Sequence, residues 1–393
     1  MLSFSISFSR EQPPEFFAQF PAAPAVFLLR GADASAEPYV SKTASLRRRL
    51  QRMLAPPESQ SRRLNLRERV AKIEYTLTGS DFESVLLLYK VLRREFPQSY
   101  QKRLRLRPAP LVRLNLENEY PRAYFTSRIG RLGSKSLYYG PFRARGVAEK
   151  FMNDSLDLFK MRRCTFDLHP DPSFPGCVYS EMKMCMAPCF KGCTDAAYAA
   201  EVARVQAYFD SGGQSLLVEM EAERERLSIA LDFEGAAQQH GKIAKVKGIL
   251  SGWDEICRRL DQLEAVIIQP SVEPKSVALF RFRKGELAGP QAFMVETEDE
   301  AQSLENRVRT ALEGFLPAGA RSAAQFTEEL AILKRWHYRS HKVGEIVLAA
   351  NDGELPTRKI ANAIGRISKS EKNPEATKDT EEHKEEPSVA PPS

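Results

Sequence analysis

Five of the chain's six cysteines, Cys164, Cys177, Cys185, Cys189 and Cys193, fall within 30 positions. Thiols gathered in that number read as ligands rather than as isolated core residues. No apolar run reaches membrane-spanning length, and Met1 to Phe17 lacks the basic start and apolar stretch of a secretory leader. The expectation is a cytoplasmic protein without membrane attachment. In a reducing compartment, metal or cluster ligation is favoured over disulfides. The gaps between cysteines are twelve, seven, three and three residues. A zinc ribbon shows two close pairs, whereas only the last three thiols are close here. The spacing fits a loop wrapped around a metal centre, and both zinc and iron–sulfur clusters suit thiolates. Cys257 stands apart in a stretch read as helical and is assigned to a core.

Charge is the second constraint. Residues 1–163 carry 30 Lys/Arg against 15 Asp/Glu, a balance of +15, so a chain of net +7 is acidic over its remainder. The cations come in tight groups: Arg47, Arg48, Arg49 and Arg52; then Arg62, Arg63, Arg67 and Arg69; then Lys102, Arg103, Arg105 and Arg107. Such grouping predicts a face for nucleic-acid phosphates. We take Arg47, Arg48, Arg52, Arg62, Arg63, Lys102, Arg103 and Arg105 as the candidate contacts.

A chain of 393 residues exceeds one typical domain, so two or three are expected. Pro24–Arg30, Tyr39–Val40 and Ile73–Thr78 read as strands. A basic helix from Ser45 separates the last two, and Asp81 is read as the cap of a helix running to about Glu95 before Pro97. The resulting order is β-β-α-β-α. Strand-like runs follow at Leu111–Leu114 and Ala123–Thr126, and an aromatic turn at Tyr138–Phe142 fits either base stacking or packing. A helix is expected from Val147 to about Phe159. Beyond the cysteines, helices are expected at about 195–209, 215–230 and 232–250. The last two form an antiparallel hairpin whose apolar edge, including Phe233 and Ala237, invites a partner. Three strand-like runs then span 263–296, and helices follow at about 298–314 and 322–337. His337 and His341, four apart, lack a nearby Glu or Cys and read as part of a surface helix.

These residues together resemble the UvrC family, the incision subunit of bacterial nucleotide excision repair, across most of 24–296. Pro121–Thr126, Tyr139–Phe142 and Met161–Cys164 are similar to the family's segment after its nuclease domain. Pro175–Cys177 with Met184–Cys189 is similar to its cysteine region, with the same seven- and three-residue gaps. Leu231–Ala237 is similar to its UVR motif. The resemblance implies a cluster held by Cys164, Cys177, Cys185 and Cys189, of 4Fe-4S type with zinc as the alternative, and leaves Cys193 outside. It also implies a UvrB-like protein as the hairpin's partner, meeting it through Phe233 and Ala237, and DNA as the other.

The first unit then resembles a GIY-YIG nuclease, which needs tyrosine, arginine and lysine for the phosphate chemistry and a glutamate for a divalent metal. Tyr39, Lys42 and Arg49 match. Phe27 replaces the first tyrosine, and Leu88 stands where the metal-binding glutamate is expected. The expectation is an α+β protein with units at 20–100 (degenerate GIY-YIG-like), 101–214 (annex and cysteine region), 215–252 (hairpin) and 260–345. The last resembles the start of a ribonuclease-H-like domain. A Lys/Glu/Ser/Pro-rich disordered tail is expected from 366 to 393. Function divides three ways: a DNA-binding repair protein with impaired nuclease activity, an excinuclease using Glu83 or Glu74 as a relocated metal ligand, or a helix-hairpin adaptor.

Overall fold

The computed structural model describes residues 2–372 apart from 34, 57–63, 132, 297–301, 316–321 and 351–352. Three antiparallel sheets organise it. The first is built from β1 (Phe4–Ser7), β2 (Ala25–Arg30), β3 (Tyr39–Thr43) and β4 (Lys72–Leu77), in the order β1-β4-β2-β3. Helix α1 (Leu46–Leu54) lies between β3 and β4, and α2 (Asp81–Glu95) follows β4. The expected β-β-α-β-α order is present, with β1 as an added edge strand. The cap of α2 is Ser80 rather than Asp81: its Oγ accepts from the Glu83 amide at 3.1 Å.

The two helices take opposite faces of this sheet. On α1, Leu46, Leu50, Met53 and Leu54 pack with Phe27, Leu29 and Ile73. This spacing leaves Arg48 and Arg52 of Leu46-Arg-Arg-Arg-Leu-Gln-Arg exposed, with Arg47 and Arg49 half-buried at the edges of the stripe. On α2, Leu87, Leu88 and Val91 meet Val26, Leu28 and Val40 on the other face.

The second sheet comprises β5 (Leu111–Asn115), β6 (Arg122–Thr126), β7 (Leu137–Gly140) and β8 (Arg258–Arg259), ordered β6-β5-β7-β8. Before it lies α3 (Tyr100–Leu104). After it come α4 (Arg145–Leu156), the short α5 (Val178–Glu181) and α6 (Asp195–Asp210). The hairpin is formed by α7 (Gln214–Ile229) and α8 (Phe233–Leu250). Tyr138 and Tyr139 belong to β7 and are buried, so they are not available to stack on bases. Tyr138 Oη accepts from the Gly130 amide, and Tyr139 Oη donates to Asp210.

The third sheet joins β9 (Glu264–Pro270), β10 (Ser276–Arg283), β11 (Glu286–Met294) and β12 (Glu345–Leu348), in the order β11-β10-β9-β12. The central β9 is buried along Ala265–Gln269, which explains its unbroken apolar run. Helices α9 (Leu304–Glu313) and α11 (Thr357–Lys372) cover one face. The other face receives α10 (Ala323–His337) together with Phe82, Val85, Leu86 and Tyr89 of α2. Helix α11 carries the chain in order past residue 366, where a disordered tail was expected to begin, as far as Lys372. Ile360 and Ile364 anchor it to the sheet. The rest of the expected tail lies outside the described residues.

Helix α2 therefore packs between two sheets. The joint is close at its N-terminal end. A Cβ on Gly79 would stand 2.3 Å from the Pro270 carbonyl oxygen, so only glycine fits where the first unit meets β9.

Candidate functional site

The β2–β3 register pairs Leu29 with Tyr39 and Phe27 with Ser41. Phe27 and Tyr39 thus share the face that α1 covers, with ring centroids 6.0 Å apart. Arg49 reaches across from α1, and its Nη2 donates to Tyr39 Oη at 3.0 Å. Lys42 pairs with Val26 in the register and takes the opposite face. It is ion-paired to Asp81, which Arg339 also holds. Burial works to raise the Asp81 carboxyl, but Lys42 and Arg339 prevail and keep it below the ordinary carboxylate range. Of the three matching nuclease positions, the structure brings Tyr39 and Arg49 together and separates Lys42.

Leu88 is half-buried against Val26, Leu28 and Val40, on the side away from Tyr39 and Arg49. The two candidate substitutes are engaged elsewhere. Glu83 is buried and accepts from the Gly79 amide at 2.8 Å, and burial pushes its carboxyl above the usual range. Glu74 sits opposite Leu28 on the α2 side and pairs with Lys72 at 2.8 Å and Arg30 at 3.6 Å. Among the described residues no carboxylate pairs with Tyr39 or Arg49. A phenol and a guanidinium in contact can receive a phosphate, but they supply no oxygen set for Mg²⁺.

The arginines taken as DNA contacts divide. Arg48, Arg52, Lys102 and Arg105 are exposed. Arg47 Nε donates to the Phe20 carbonyl at 2.7 Å. Arg103 is ion-paired to Glu37 and lies 3.9 Å from the Phe96 ring centroid. Arg67, grouped with them by sequence, is buried and donates to the carbonyls of Leu54, Arg10 and Gln12, a structural role. Arg62 and Arg63 lie outside the described residues.

The cysteine loop spans the segment between α4 and α6. Cys164, Cys177 and Cys185 are half-buried and Cys189 is buried, all as free thiols. Burial pushes the Cys185 thiol up to about 11, and charge on Cys164, Cys189 and Cys177 would raise it further. Cys189 is raised by burial and then by Cys177. The Cys185 and Cys189 thiols, raised in this way, ionise when a cation compensates their charge. Among the described residues no three His, Cys, Asp or Glu side chains close into a set that would grip one metal ion. Cys193, expected to lie outside the set, is raised by burial and then by charge on Asp195 and on Cys189, so it stays within reach of Cys189.

Arg162 is the residue that sequence reasoning missed here. It is 1 % exposed, with no carboxylate partner among the described residues. Its Nε donates to the Tyr120 carbonyl at 2.8 Å, and Nη1 donates to the Phe166 carbonyl at 2.9 Å and lies 3.3 Å from Cys164 Sγ. Nη2 is buried without a partner. A buried guanidinium needs negative charge nearby. Thiolates on the loop would provide it: the chemistry of the donors, though not their spacing here, suits an anionic metal–thiolate group. The Ala187 amide, donating to Cys185 Sγ at 3.3 Å, fits the same charge.

At the hairpin tip, Ile229, Leu231 and Phe233 are each at least 68 % exposed, and Ala237 is exposed on the same helix. The core takes Gln239, Ile243 and Val246 of α8 instead. His337 is buried rather than on a surface. Its Nε2 lies 3.1 Å from Asp254, and His341 is exposed and apart from this contact. Cys257 is in the core as expected, but in the loop before β8 rather than on a helix; its thiol donates to the Pro141 carbonyl.

These units define a multi-unit α+β protein with three antiparallel sheets, in which the cysteine loop packs with the second sheet. Residues 109–208, which include all five clustered cysteines, match the UvrC/Cho excinuclease middle domain. UvrABC system protein C of Dehalococcoides mccartyi is 23% identical over 280 residues, covering 71% of this chain and 46% of that protein. The protein of the same name from Methanothermobacter thermautotrophicus is 26% identical over 289 residues, 73% of this chain and 47% of its own. That of Trichormus variabilis is 24% identical over 300, with 74% and 46% covered. No solved structure matches the chain. The chain is similar to these UvrC proteins over 71–74% of its length, and it spans about half the length of the curated relatives it matches. The first sheet lies outside the matched middle domain.

Proposed function

We propose that this chain is a DNA-binding protein of nucleotide excision repair that has lost incision chemistry in its first unit. The observation that carries this reading is Leu88. The position expected to supply the metal carboxylate holds an apolar side chain packed on Val26, Leu28 and Val40, and neither Glu83 nor Glu74 reaches Tyr39 and Arg49. Phe27 lacks the first tyrosine's hydroxyl, and among the described residues no carboxylate pairs with Tyr39 or Arg49 to hold a metal beside them. The relocated-ligand reading loses support from the same geometry.

In this reading Cys164, Cys177, Cys185 and Cys189 hold an iron–sulfur cluster, with Arg162 as its buried counter-charge. When bound, the cluster supplies a cross-link that ties the loop between α4 and α6 together. Phe233 and Ala237, exposed at the hairpin, are the contacts for a UvrB-like partner.

The test is incision of lesion-bearing duplex by the full chain with Mg²⁺ or Mn²⁺ and the family's partner proteins. The expected result is binding without cleavage; cleavage that Arg49→Ala abolishes overturns the proposal. For the cluster, protein purified without oxygen is expected to be brown and to contain iron. A colourless protein with one zinc rejects the iron–sulfur assignment.

A further inference from the structure

Where α3 runs out, the chain passes Arg105, which adopts a left-handed φ of 51°, and Arg107 before entering β5. This segment forms one wall of a cleft of about 450 Å³, also lined by Arg143 just before α4 and by Lys334, Arg335 and Tyr338 at the end of α10. Five cations line it and no acid does. Their neighbours show that this is unusual: Arg103 pairs with Glu37, Arg145 with Glu149 and Arg339 with Asp81. Among the described residues none of the five pairs with a carboxylate.

The cations also press on one another. Burial first, and then the Arg107 charge, holds Lys334 below the ordinary lysine value. The side chain of Arg143 is near enough for its charge to bear on Tyr338. Like charges gathered in a concave site without counter-ions are stabilised by an anion that enters it.

Resting on the DNA-binding reading above, we propose that this cleft is where a nucleic-acid strand seats its phosphodiester backbone. The lining decides between a strand and a free nucleotide. Apart from Tyr338, every polar side chain in it is a cation, and the rest are Leu106 and the alanines at 144 and 331. The Tyr338 hydroxyl is already committed, donating to the Pro141 carbonyl at 2.9 Å. Nothing there presents the neutral donors and acceptors that read a base edge, whereas guanidinium and ammonium groups fit phosphate oxygens. Binding at this site is independent of sequence and sensitive to salt.

The test uses the full chain, fluorescently labelled single- and double-stranded DNA, and anisotropy titrations at several salt concentrations. Arg107→Glu with Arg335→Glu is compared with wild type and with Arg48→Glu on α1, each variant first checked for an unchanged melting temperature. The double reversal is expected to weaken binding at least tenfold. It is also expected to flatten the slope of log K against log salt by roughly 0.7–0.9 for each phosphate no longer neutralised. The milder Lys334→Gln is expected to weaken binding a few-fold should the reversal fail to fold. Unchanged affinity and slope in folded variants overturn the cleft. A wild-type chain that binds no DNA at low salt overturns the DNA-binding reading itself. A competition arm adds a nucleoside triphosphate and, separately, inorganic pyrophosphate. Saturable binding of either that the same variants remove, without loss of DNA affinity, reassigns the cleft to a free phosphate ligand and overturns the strand.

Discussion

The cysteine loop and the first sheet have fared differently in one chain. In the loop, four thiols remain within electrostatic reach of one another, and a buried arginine awaits their charge. In the first sheet the backbone order survives and Tyr39 still meets Arg49, but the carboxylate position is part of a hydrophobic contact. The loop has little regular structure: beyond the short α5 there is a single turn at Pro188–Phe190, and Leu168 and Cys189 tie it to the core. The sheet is held by apolar packing on both faces and does not need its polar residues to fold. On the proposed reading, chemistry is kept where it is also scaffold and is dispensable where packing already supplies one.

The sharpest way to break this comparison is Arg162→Met. Removing one partner of a buried charged group costs about 3–5 kcal/mol, so the variant is expected to lose both visible absorbance and iron and to melt well below wild type. Arg162→Lys keeps the charge but not the fork of donors and is expected to fall between. A variant that keeps its iron and its melting temperature separates Arg162 from the thiol centre.

Leu88→Glu restores the expected nuclease residue type where the structure gives it no partners. Half-burying a carboxyl against Val26 and Val40 is expected to destabilise by about 2 kcal/mol without creating cleavage, because Phe27 still lacks a hydroxyl. Chemical denaturation gives the first quantity and a plasmid-nicking assay the second. Nicking restored by this single change shows the site to be dormant rather than dismantled.

Tyr39→Phe tests the remnant pair itself. One half-buried hydrogen bond to Arg49 is removed, so the expected change is about 1 kcal/mol or less, with DNA affinity within twofold of wild type. A larger drop in affinity in the anisotropy titration gives the Tyr39–Arg49 pair a phosphate-binding role.

Much of this was legible in sequence. Pro97 and a cap read one residue late, at Asp81 instead of Ser80, placed α2; β5 and β6 fell where strand-like runs were read, whereas β7 was read as an aromatic turn and β8 was not read. What α2 packs against was hidden. Leu86, Leu87 and Leu88 are consecutive, and a single apolar stripe does not explain three in a row, but two opposite sheets do. β1 was readable, since Ser3-Phe-Ser-Ile-Ser-Phe8 alternates with period two, yet its partner β4 lies nearly seventy residues away. On α8 Phe233 and Ala237, read as an edge open to a partner, are exposed, while the face that takes Gln239 into the core was not read. The partner helix approaches from the side where Gln239 Nε2 donates to the Met220 carbonyl. The cleft of Arg107, Arg143, Lys334 and Arg335 left only the trace of Arg105 and Arg107 in a local charge run, because three distant segments build it.

The position of α2 has a consequence for anyone who would trim this protein. Phe82, Val85, Leu86 and Tyr89 belong to the same core as Phe280, Phe282 and Trp336. Cutting away the N-terminal hundred residues as a spent nuclease would take a wall from the C-terminal sheet and leave those aromatics facing water. The first unit can lose its reaction and still be irreplaceable, because its last helix is also masonry for a different part of the molecule.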